Sequence, residues 1–166
     1  MRAGIAFGSN LGDRLMLLRQ ARACLLASPL LAPPVLVSSV YLTSPVDCPP
    51  GSDSFLNGVL EAELTGAPMD LFRELRGLEQ GLGRAPRAGR HAPRTIDLDF
   101  LYAGDCEIRG KKLILPHPGI IRRRFVLAPL AEIRPGLILP GQTKTVSQLL
   151  RNLPPGDSAE PLEAKW

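Results

Sequence analysis

Two aspartates, Asp97 and Asp99, stand two apart in the segment 95–101 (TIDLDFL), where polar and apolar residues alternate strictly. A period of two marks a β-strand, whose successive side chains point to opposite faces. Thr95, Asp97, Asp99 and Leu101 then share one face, and Ile96, Leu98 and Phe100 the other. Carboxylates so placed lie roughly 6.5–7 Å apart along the strand. They repel unless a divalent cation or nearby arginines come between them. Alone, such a pair reads better as a solvated strand face with two surface acids. The approach to it argues for more. No acidic residue occurs from Gln80 to Ile96, while Arg84, Arg87, Arg90 and Arg94 recur every three or four positions. Gly83, Pro86, Gly89 and Pro93 interrupt that run, so it reads as a flexible cationic loop and not as a helix face. Magnesium takes one or two carboxylates, keeps waters and completes its shell with substrate phosphates. Arginine's planar fork suits those phosphates, and a loop of them would neutralise a triphosphate and its transition state. The residues therefore point to a magnesium-dependent transfer from a nucleotide to a small acceptor. Neither a Ser–His–Asp nor a Cys–His set is evident.

These residues need a scaffold. Residues 2–7 read as a short buried strand that ends in a turn, with Asn10 or Asp13 able to cap a helix striped by Leu15, Leu18, Ala21 and Leu25. Residues 35–43 read as a second strand, 44–53 as a long irregular loop and 55–64 as a third strand. Phe55 and Asn57 share a face there and could stack on and hydrogen-bond a flat polar ligand, although by themselves a core ring and a turn-end amide are the favoured account. Pro68 opens a second helix, with Leu71, Leu75, Leu78 and Leu82 as its core stripe. Beyond the aspartate strand come an extended piece at 112–115, a proline-flanked His117, and Arg122, Arg123 and Arg124 before Phe125. A helix at 125–133, a short strand at 137–139 and a helix at 146–153 follow. The order β, α, β, β, α, β predicts an α+β, ferredoxin-like sandwich with a mainly antiparallel sheet and helices packed on it. Residues 1–166 are expected to form one domain, with a loosely ordered tail from about 154.

Composition sets the bounds. A chain of 166 residues with 45% hydrophobic content buries a core of its own, which excludes a disordered chain. Sixteen arginines against four lysines carry weight only through their clustering. Cys24, Cys48 and Cys106 are too scattered for a disulfide frame or zinc site and suit a reducing, cytoplasmic setting. No apolar run is long enough for a signal peptide or a membrane span.

Seven ordered segments, GSNLGDR, YLTSP, FLNGV, LEQGLGR, RHAPRTIDLDFL, LPHPGI and RRFVLAPLAEI, carry a resemblance over nearly the whole chain. Together they resemble the 6-hydroxymethyl-7,8-dihydropterin pyrophosphokinases of folate biosynthesis. The resemblance implies transfer of pyrophosphate from ATP to the 6-hydroxymethyl oxygen of the pterin, with release of AMP. It implies two Mg2+ ions on Asp97 and Asp99, and phosphate contacts and site closure by Arg84 and Arg94, with Arg90 similarly placed. His117 matches a nucleotide contact and Glu79 an acid beside the nucleotide pocket. For the pterin, Phe125 and Phe55 match stacking rings, Asn57 an edge-reading amide, Thr43 and Val46 main-chain contacts, and Arg123 a neighbouring arginine. His91, Ile114 and Pro118 depart from residues found in some members, and Phe55 lacks the phenol oxygen often found there. A cytoplasmic monomer acting on small molecules, without nucleic acid or membrane, is the expected setting. A nucleotidyltransferase fits less well because Ser9 and Asp97 are far apart in the chain. A ferredoxin-like RNA-binding module would stack bases on the strand that here carries two acids.

Overall fold

The computed structural model describes residues 1–45, 51, 53–83, 95–164 and 166. Val46, Arg84, Arg90 and Arg94, with His91, lie outside the described residues. The chain runs through β1 (Arg2–Ser9), α1 (Arg14–Leu26), β2 (Leu31–Val37), β3 (Val40–Thr43), β4 (Phe55–Leu64), α2 (Pro68–Gly81) and β5 (Asp97–Ala103). It continues through β6 (Ile108–Arg109), β7 (Ile114–Leu115), a 3-10 turn (Ile120–Arg122), α3 (Arg124–Ile133), α4 (Val146–Arg151) and β8 (Ala159–Leu162). The main sheet has the order β5-β1-β4-β3-β8, with β2 also paired to β4. All its pairings are antiparallel, so the fold is the expected α+β, ferredoxin-like sandwich.

Both faces of the sheet are covered, which is why β1 is buried from Ala3 to Ser9. Ile5 and Phe7 face α1 and α2 and pack with Leu18, Ala21, Leu25, Leu71 and Leu75. Ala6, Val59, Leu101 and Tyr102 face the other way, onto Val126, Leu127 and Leu130 of α3 and Val146 and Leu149 of α4. A register shift between Gly4 and Ile5 in the β1–β5 ladder leaves one extra residue on β5. Leu101 and Tyr102 therefore join the same cluster despite being neighbours. Local chemistry sets the helix ends. Asp13 caps α1 by accepting a bond from Met16 N at 3.0 Å. Pro68 sits in the first turn of α2, and Thr145 with Gln148 forms a capping box on α4.

Three expectations need correction. The single strand at 35–43 is two strands, because Ser38 turns aside to serve β4: its N–H donates to Val59 O (2.9 Å) and its Oγ accepts from Val59 N (3.0 Å). Residues 137–139 form no strand, only a bridge between Ile138 and Thr145. The loose tail from about 154 misses two fixtures: β8 extends the sheet beyond β3, and Trp166 is buried against Phe7, ring edge to face at 4.8 Å. The Trp166 indole N–H donates to Ser38 O at 2.7 Å. Gly58 makes room, since a Cβ there would sit 2.4 Å from the Trp166 ring.

Candidate functional site

The α3-facing side of the sheet ends in a row of polar residues. Asp97 on β5 pairs in register with Gly8 on β1, and Gly8 pairs with Asn57 on β4. With neighbouring strands 4.7–4.9 Å apart, Asn57 and Asp97 stand about 10 Å from one another across the open back of Gly8. That glycine is a site residue the sequence reading missed. A Cβ there would lie 3.0 Å from Asn57 Oδ1 and 3.9 Å from Asp97 Cβ. Its signal was available, because a glycine inside a buried strand often marks a close approach.

Beyond Asn57 lies a cavity of about 50 Å3 lined by Thr43, Ser44, Phe55, Asn57 and Phe125. Asn57 is buried, and its Nδ2 donates to Thr43 Oγ1 at 2.7 Å, which orients the amide edge. Thr43 thus contributes its hydroxyl here, where the resemblance implies main-chain contacts. Phe125 stands at the start of α3, and the Arg123 guanidinium lies 5.6 Å from its ring centre.

On the other side of the row, outside β5, a larger cavity of about 310 Å3 opens between α2 and the β6–β7 hairpin. Its walls include Phe72, Arg76, Asp99, Lys111, Lys112 and His117, with Ile114 and Pro118 adding apolar surface. Asp99 links this cavity to the row. Its Oδ2 is 3.2 Å from Arg123 Nη1 and its Oδ1 is 3.9 Å from His117 Nε2. His117 is fixed from two sides: its backbone N–H donates to Leu101 O at 2.7 Å, and its Nδ1 accepts from Gly119 N at 3.1 Å. The ring proton of neutral His117 therefore sits on Nε2, towards Asp99. Burial lowers the His117 pKa, outweighing the opposite pull of Asp99, and Arg123 pushes it the same way as burial.

Glu79 stands one layer behind the cavity. Its side chain is only 2% exposed, and Oε1 accepts from Leu98 N at 2.8 Å, on the residue between the two aspartates. Among the described residues no group of three or more His, Cys, Asp or Glu side chains could hold a metal unaided. Asp99 at the cavity wall, with Asp97 two residues before it on β5, is a donor set that fits magnesium, which leaves part of its shell to water and substrate.

Two cavities, one with cationic walls beside Asp99 and one lined by Phe55, Asn57 and Phe125, flank the row that carries the aspartates, a layout suited to a group transferase. Residues 4–135 match the family of 7,8-dihydro-6-hydroxymethylpterin-pyrophosphokinase (HPPK). The 2-amino-4-hydroxy-6-hydroxymethyldihydropteridine pyrophosphokinase of Bacillus subtilis is 44% identical over 131 residues, covering 79% of this chain and 77% of that protein. The protein of the same name from Methylorubrum extorquens is 35% identical over 154 residues, with 93% and 94% covered. In three dimensions the chain is similar to Plasmodium falciparum HPPK-DHPS crystallised with pteroate, with a TM-score of 0.69 at 14% identity. That match covers 90% of this chain but 42% of the longer one. The chain belongs to the 7,8-dihydro-6-hydroxymethylpterin-pyrophosphokinase family, and its activity is that of a pyrophosphokinase of folate biosynthesis.

Proposed function

We propose that the chain transfers the pyrophosphate of ATP to the 6-hydroxymethyl oxygen of 6-hydroxymethyl-7,8-dihydropterin, and that it needs magnesium to do so. The observation that carries this reading is the order across the sheet: large cationic cavity, Asp97 and Asp99, Gly8, then Asn57 between Phe55 and Phe125. The acceptor lies between the two phenylalanine rings, its edge read by the Asn57 amide that Thr43 holds. The nucleotide occupies the larger cavity, against Lys112 and His117. Its triphosphate points over β5 towards the acceptor, with Arg123 adding charge beside Asp99; the phosphate contacts that the resemblance implies for Arg84, Arg90 and Arg94 are part of the proposal.

Asp97 and Asp99 would hold two magnesium ions, which when bound neutralise the triphosphate and stabilise charge in the transition state. The hydroxymethyl oxygen forms a bond to the β-phosphorus and gives up its proton to solvent, the bond from that phosphorus to the oxygen bridging to the α-phosphate breaks, and AMP leaves. Positioning and charge do most of the work in such a transfer, so no nucleophilic side chain is required. Neutral His117 can donate from Nε2 to an anionic oxygen. The setting proposed is a cytoplasmic monomer. Incubated with ATP, magnesium and the hydroxymethyl-dihydropterin, the purified protein should form AMP and no ADP. Formation of ADP, or AMP release indifferent to the pterin, would sink the reading.

A further inference from the structure

On its β5 side, α2 presents two charged side chains to a single peptide position. Leu98 lies between Asp97 and Asp99, opposite Phe7 in the β1–β5 register. Its N–H donates to Glu79 Oε1 at 2.8 Å, and its carbonyl accepts from Arg76 Nη2. Arg76 Nη1 in turn meets Glu79 Oε2 at 2.7 Å. The two side chains satisfy, for this one residue, the edge that a further strand would have paired. Helix geometry permits it: Glu79 extends the buried stripe Leu71, Leu75 by one more step of four, and Arg76 lies three residues before it. A buried ion pair is commonly no more stabilising than apolar residues of like volume, so stability alone is a weak account of it. Its geometric effect is specific, because both polar groups of the Leu98 residue are gripped from the side away from β1.

We propose that the Arg76–Glu79 pair is a positioning device that holds the Leu98 backbone and so fixes the separation and direction of the Asp97 and Asp99 carboxylates. The inference rests on the reading of those carboxylates as magnesium ligands. Arginine is required because one planar fork reaches the carboxylate and the carbonyl together, which an ammonium does less well. Glu79 does not line the large cavity, so it acts on the metal site through the strand.

The test is Mn2+ affinity, followed by electron paramagnetic resonance in the presence of a non-hydrolysable ATP analogue, for wild type, Arg76→Lys and Glu79→Gln. Arg76→Lys keeps the charge beside Glu79, and Glu79→Gln keeps an acceptor for the Leu98 N–H, so the second serves if the first fails to fold. Each should weaken Mn2+ binding by about tenfold or more, the scale of lost outer partners of metal ligands. The magnesium concentration for half-maximal rate should rise, with excess magnesium restoring the rate. Folded variants that bind Mn2+ like wild type would overturn the proposal. A loss in Arg76→Lys alone, with Glu79→Gln unchanged, would also overturn the pair and leave Arg76 acting on the nucleotide directly. Absence of Mn2+ binding by wild type would remove the magnesium reading itself, and the inference with it.

Discussion

At the scale of single residues, the aspartates and Gly8 make different demands. Asp97→Ala or Asp99→Ala should cut AMP formation by about two orders of magnitude or more, as expected when preorganised charge stabilisation is removed. Circular dichroism should show the fold unchanged, and full activity in either variant would overturn the reading of these carboxylates as magnesium ligands. Gly8→Ala should act on the acceptor instead, because the new methyl meets Asn57 Oδ1 at 3.0 Å. The expected result is a raised KM for the pterin with little change in KM for ATP, measured by steady-state kinetics. The aspartates were legible in the sequence because a two-residue period fixes their common face. Asn57 was a candidate from its place beside Phe55, but the resemblance was needed to choose it over a turn-end amide. His117 became legible only through the resemblance: an amide and an imidazole carry no periodicity, and their partners Thr43 and Gly119 are set by the fold. Glu79 carried a readable sign, an acid at i+4 from Leu75 on an otherwise apolar stripe, but its burial against Leu98 depended on β5 lying beneath it.

At the scale of elements, the site is held by pieces remote from it in sequence. Glu132, near the end of α3, accepts from Ser39 N and Oγ and from Tyr41 OH, tying the helix that begins with Arg124 and Phe125 to the start of β3. Trp166 closes the opposite face over Gly58 and Phe7. Trp166→Ala should cost about 3–5 kcal/mol, the usual range for removing a large buried aromatic, read as a shifted urea midpoint. A midpoint equal to wild type would show that the ring contributes only surface cover. The long amphipathic and alternating segments were readable because each carries several repeats of its period. Strand β8 was not, since AEPL has no such period and pairs only because β3 offers an open edge.

For the molecule as a whole, the second face of the sheet also carries a buried polar cluster. Glu61 is fully buried and meets Arg2 Nε at 2.8 Å, the Tyr102 hydroxyl at 2.5 Å and Arg134 at 3.6 Å. Burial, then the bond to Glu61, raises the Tyr102 pKa. Burial, then the bond to Glu132, pushes Tyr41 up to about 12. A phenol whose folded pKa lies above the unfolded value of about 10 favours the folded state fully below that value, and loses the contribution as pH rises through the folded pKa. Stability should therefore fall between about pH 10 and pH 12, and Tyr41→Phe should flatten part of that slope in urea titrations at stepped pH. An unchanged slope would exclude Tyr41 as a contributor. The row Asn57–Gly8–Asp97 has a consequence of another kind. The gap between the Asn57 amide and the Asp97 carboxylate is counted in hydrogen-bonded strands, so it can change only in steps of about 4.8 Å. Side-chain substitution can blur the two ends of that ruler but cannot lengthen it. An acceptor whose hydroxyl falls short by a bond or two has no intermediate setting to find.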